Sequence, residues 1–216
     1  MAKPKNIEER SRIEKIAFQL LTGNGVSNTS FADIAAKSKV TRSLVQHYFP
    51  KKDIFIEDFI TICLTEISEI VENCEYIDKT NPLERLCTVG YIQFRFLLYN
   101  NQMENLKQDI LRSRDYTMLI VNDVIRWAMS YLEDEDNEFK DNVADAIVYA
   151  MGGAFEFIYS SLENDTEINP RTVSTMVITI MNSLLNRGDD IASIPDKIPD
   201  EWISQKVEEL NEYILG

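Results

Sequence analysis

The chain has 216 residues, 44% of them hydrophobic, and a formal net charge of −14. That apolar share excludes a fully disordered chain, and 7 Gly and 6 Pro with apolar residues at helical spacing point to an all-α protein. No run approaches the ~20 apolar residues of a membrane span, and no signal peptide is seen, so a cytoplasmic protein with no membrane partner is expected.

A first helix is expected over about residues 7–22. Ile13, Ile16, Ala17, Leu20 and Leu21 form one stripe, Arg10, Arg12 and Lys15 lie off it, and Gly23 and Gly25 stop it. A second opens at Ser30, where Ser30 and Asp33 have capping-box spacing, and ends near Lys37. Ser38, Lys39 and Val40 make a turn. Thr41 caps a third helix from Arg42 to about Tyr48, with Leu44 and Val45 inward and Arg42, Ser43, Gln46 and His47 outward; Pro50 forbids its continuation. A fourth helix, about 51–77, steps through Ile56, Ile60, Cys63, Ile67, Ile70, Cys74 and Ile77, about 40 Å at ~1.5 Å per residue.

Further helices are expected at about 82–99, 102–111 and 113–132, making nine to ten in all. The acidic run 133–138 reads as a solvated loop, since it lacks the ligand spacing and turn glycine of a calcium loop. Helices at about 141–162 and 170–186 follow. Both are apolar around most of their girth, which requires burial on two sides: a subunit interface or the central pair of a monomer. The residues assigned to an interface are Ile147, Met151, Phe155, Ile158, Met176, Ile180 and Leu184. A linker with Pro195 and Pro199 leads to a last amphipathic helix at about 200–215.

Charge divides the chain. Residues 1–52 hold ten Lys/Arg and four Asp/Glu, and residues 53–216 hold twelve and thirty-two. A head of net charge +6 suits a polyanion, and a body of −20 would stand away from it. The domain boundary is placed accordingly, with 1–52 as the head and 53–216 as the body, joined by the fourth helix.

Within residues 29–48, two short hydroxyl-capped helices joined by a tight turn make a helix-turn-helix, whose second helix fits the DNA major groove. This stretch resembles the TetR family of bacterial repressors. The resemblance covers about residues 7–60. It rests on Gly25, the Thr29-Ser30 entry with Asp33-Ile34-Ala35, Val40-Thr41 at the turn, Tyr48-Phe49 and Lys52. It implies an all-α fold with a three-helix head and a helical body that binds a ligand and dimerises. It places Arg42, Ser43, Gln46 and His47 near bases or sugars, and Thr29, Ser30, Thr41, Tyr48 and Lys52 on phosphates. Hydroxyls and helix N-termini suit phosphate oxygens, and Gln suits adenine. Two positions depart from the family: Lys39 stands where glycine is usual, and Gln46 where tyrosine is frequent.

The resemblance further implies double-stranded DNA with a palindromic operator, a homodimer and a small-molecule effector as partners. Tyr91, Phe94, Tyr99, Tyr116 and Trp127 fit either the lining of an apolar effector pocket or plain core. No catalytic set, metal or cofactor is expected. The single His, His47, lies on the exposed recognition helix, and Cys63, Cys74 and Cys87 have no CxxC spacing and read as buried thiols, with a redox sensor as the alternative. The rival reading is an acidic helical scaffold or bundle enzyme in which the helix-turn-helix only packs.

Overall fold

The computed structural model describes residues 6–133, 135–185 and 193–216, with Tyr99 and Asn101 described by backbone alone. Among the described residues there are eleven α-helices and no strand. None of the helices is long and apolar enough to cross a membrane.

The head is three helices: α1 (Ile7–Asn24), α2 (Phe31–Ser38) and α3 (Arg42–Tyr48). The Asn6 side chain caps α1 by accepting from the backbone N–H of Glu8 and Glu9. Gly25 ends it at φ 84°, and an added Cβ there would meet the Asp109 carboxylate at 2.8 Å. That carboxylate accepts from the Val26 N–H at 2.6 Å, tying the end of α1 to the body. The capping box of Ser30 and Asp33 on α2 is present in both directions. Lys39 closes α2 at φ 54°, ψ 40°. The bonds Lys39 N–H to Ala36 O and Val40 N–H to Ala35 O complete a Schellman end. The departure from glycine therefore leaves the turn geometry intact, with a lysine held in the left-handed region.

The body begins with α4 (Asp53–Glu72), followed by α5 (Pro82–Tyr99), a 3-10 turn (Asn101–Met103), α6 (Glu104–Arg112), α7 (Arg114–Ser130), α8 (Asn137–Glu163), α9 (Pro170–Leu185), α10 (Ile194–Lys197) and α11 (Asp200–Leu215). Expected and observed bounds coincide for the fifth and last helices. The fourth is shorter than expected, about 30 Å, because the chain turns at Asn73; Cys74 and Ile77 reach the core from the loop beyond. The eighth starts four residues early, since the Asp136 carboxylate caps it by accepting from Phe139 N–H at 2.7 Å. The acidic run is thus partly helical, with Asp134 outside the described residues, as is Asn186 at the expected end of the ninth helix. The four-residue α10 escaped the periodicity argument through its brevity.

One core runs through both parts. Phe49 stacks on Phe55 at 4.1 Å, and Phe18 meets Phe59 edge-on at 5.2 Å, so α4 is the wall shared by head and body. The helix α11 closes the same seam from behind: the Gln19 amide donates to Leu215 O at 2.8 Å and the Asn100 amide to Asn211 at 2.8 Å.

Candidate nucleic-acid interface

The outward face of α3 is polar and open. Thr41, Arg42, Ser43, Gln46 and His47 are all exposed. The Thr41 hydroxyl accepts from Leu44 N–H at 3.2 Å and shares a hydrogen bond of 3.0 Å with Ser43, so it caps the helix while staying in solvent. Ser30 is exposed at the start of α2, and its hydroxyl donates to Asp33 at 2.6 Å. That bond, with the Ser30 backbone N–H, holds the Asp33 carboxyl below the usual range.

Three residues assigned to phosphates lie in a different position. Thr29 is 1% exposed, and its hydroxyl donates to Gly25 O at 2.8 Å and Leu20 O at 3.2 Å. The Lys52 ammonium donates to Val26 O at 2.7 Å and Thr29 O at 3.1 Å. Both tie down the loop between α1 and α2. Tyr48 is 7% exposed, and its hydroxyl accepts from Asn6 N–H at 3.1 Å, which anchors the start of α1. The Tyr48 and Lys52 contacts span distances in the chain that no local pattern encodes. Two arginines of the first helix are also engaged. Arg12 donates to Ser38 O at 2.7 Å at the end of α2; Arg10 bridges Glu14 and Asp58 and lies over the Phe49 ring at 4.8 Å. Beside the helix-turn-helix, Lys37, Lys39, Arg42 and Lys51 are exposed.

The profile of bacterial regulatory proteins of the tetR family matches residues 14–58. The head is similar to a tetR-family helix-turn-helix. The fold of the whole chain agrees with this tetR-type head. RolR solved with the ligand resorcinol is similar at a TM-score of 0.58 and 14% identity, over 88% of this chain and 92% of that one. RolR without ligand gives 0.56 and 14%, over 87% and 95%. A tetR-family transcriptional regulator from Streptomyces coelicolor gives 0.55 and 17%, over 97% and 90%. No curated protein matches the chain by sequence.

In the body behind the tetR-type head, two small cavities adjoin. One, about 30 Å³, lies among α4, α5, α6, α7 and α8, and Phe94 lines it. The other, about 20 Å³, lies among α5, α7, α8 and α9, and Tyr91 and Phe94 line it. The remaining residues assigned to a pocket are elsewhere. Trp127 lies against Tyr131 at 4.8 Å on the far part of α7. The Tyr116 hydroxyl donates to Asp53 at 2.6 Å in a surface cleft where α7 meets the start of α4. Burial and the Asp53 carboxylate push that phenol up. The Tyr99 side chain lies outside the described residues. Cys63 and Cys87 line the two cavities; burial pushes their thiols and that of Cys74 up, which disfavours the thiolate a redox sensor needs.

The surface expected between subunits divides as well. Ile147, Met151, Phe155 and Ile158 are buried within the chain's own core, on a helix packed against α6, α7 and α9. On α9, Met176 and Leu184 are exposed at 49% and 52%, and Ile180 is half-buried. The outer face of α8 carries Val148, Tyr149 and Phe157, all exposed, and Gly152 and Gly153, beside which there is open space for a Cβ. The α8 residues assigned to an interface thus lie on the covered side of that helix, because a helix apolar all round gives no phase.

Proposed function

We propose that the protein is a dimeric, DNA-binding transcriptional repressor that works in the cytoplasm and is released from a palindromic operator by a small-molecule effector. The observation that carries this is the exposed polar face of α3, presenting Arg42, Ser43, Gln46 and His47 on a head whose charge is opposite to that of the body. A helix that only packed would not leave that end open. Arg42 and Gln46 read base edges, while Ser30, Thr41, Lys37, Lys39 and Lys51 meet the backbone. The outer faces of α8 and α9 pair across a two-fold axis, with the glycines allowing close approach, and set the spacing of the heads. Resorcinol bound to RolR supports a small-molecule effector in a body of this fold. No enzymatic role is proposed: His47, the chain's single histidine, is on the DNA-reading face.

The exposed cations Lys37, Lys39, Arg42 and Lys51, doubled by two-fold symmetry, predict a log–log salt slope of about −5 to −9. Fluorescence anisotropy with DNA selected from a random pool measures it. A slope near zero overturns the repressor reading.

A further inference from the structure

The two cavities of the body share Gln93 and Phe94 as a common wall. Neither is lined by a charged side chain. Two of the hydroxyls among their lining residues are engaged. The Ser174 hydroxyl donates to Pro170 O at 2.9 Å, and the Tyr91 hydroxyl to Asp200 at 3.3 Å. Gln93 Oε1 is buried and accepts from nothing; it is the one such atom that lines either cavity among the described residues. A buried carbonyl without a donor is costly, and a ligand that brings a donor recovers that cost.

We propose that this seam is the effector site, and that the effector is an uncharged, ring-sized apolar molecule carrying one hydrogen-bond donor, received by Gln93 Oε1. This rests on the effector reading above and adds the chemical class. A charged ligand would enter unpaired among apolar side chains, which is strongly unfavourable. The rings of Phe59, Phe94 and Phe155 suit a flat apolar body. Each cavity as it stands holds no more than about one or two waters. A ring therefore binds a state in which Gln93 and Phe94 swing aside and the cavities join. Because α4 supplies Phe59 and Cys63 to the same wall and Phe55 to the head contact, that state moves the head.

The test uses the full chain and three probes, phenol, toluene and benzoate, with dissociation constants from NMR titration. Wild type should bind phenol at least tenfold tighter than toluene and should not bind benzoate. Gln93→Met keeps the volume and should bring phenol down to the level of toluene; Gln93→Leu repeats the comparison if that variant does not fold. Benzoate binding as well as phenol, equal affinity for phenol and toluene, a Gln93 variant that keeps the preference, or no binding of any probe at millimolar concentration overturns the proposal. Anisotropy with operator DNA separates the two layers. The expected phenol preference without loss of DNA affinity upholds the site and its chemistry and overturns only its role as effector site.

Discussion

Head and body use their polar and apolar side chains in opposite ways. In the head, cations and hydroxyls are turned onto backbone carbonyls: Arg12 on Ser38 O, Thr29 on Gly25 O, Lys52 on Val26 O and Thr29 O. In the body, apolar side chains remain in solvent at Met176, Leu184, Val148 and Phe157, while Gln93 Oε1 is buried without a donor. A net charge of +6 thus overstates what the head offers to DNA, because several of its cations hold the fold. The apolar excess on α8 and α9 likewise overstates what the body leaves open, because the inner half of each helix is already covered.

The largest effect should come from charging the uncovered face. Met176→Glu with Leu184→Glu changes two residues that are exposed in the single chain, so the fold should survive while the dimer splits. Sedimentation should then give 25.0 kDa rather than about twice that for wild type. Operator affinity should fall at least ~100-fold, since linkage of two half-sites is lost. A dimeric double variant would break the contrast drawn for the body.

The contrast within the head is sharpened by two cations with different work. Lys52→Met removes two charge-assisted bonds and should cost about 2 kcal/mol in urea unfolding. Arg42→Ala should leave stability within about 0.5 kcal/mol and make the salt slope shallower by about 1. A stable Lys52→Met that loses DNA binding would return Lys52 to the phosphate contacts. Gln46→Ala should cost about 1–3 kcal/mol on the operator and relax preference at one base pair, without lowering affinity for unrelated DNA.

Glu14 marks the junction of head and α4. Burial and its hydrogen bond to Asp58 push its carboxyl up to about 7 against the pull of Arg10. The folded chain then holds this proton more tightly than the unfolded one. The associated stability is complete below about pH 4.5 and is lost as pH rises through 7. Thermal melts of Glu14→Gln and wild type should therefore diverge from pH 5 to pH 8, with wild type losing ground; parallel curves would show that Glu14 has no such role. The smallest effect is expected at Lys39. Lys39→Gly should stabilise the head by up to ~1 kcal/mol in urea unfolding by relieving a non-glycine residue at φ 54°.

What the sequence by itself determined lies within a few residues of chain. The capping box of Ser30 and Asp33, the Thr41 cap, the proline-led starts at Pro82 and Pro170, and the exposed side of α3 all follow from local bonds and helical period, which act over at most two turns. The tertiary structure decided what depends on distant neighbours. Thr29, Tyr48 and Lys52, expected on phosphates, are tied inside the chain by partners 4 and 9, 42, and 23–26 residues away. Which half of α8 faces inward was set by where α7 and α9 pack, since a helix apolar on all sides buries nearly the same area in either orientation. Gln93 carried no sequence signal at all: one polar residue in an apolar helix acquires meaning only when packing closes around it and leaves its oxygen without a donor.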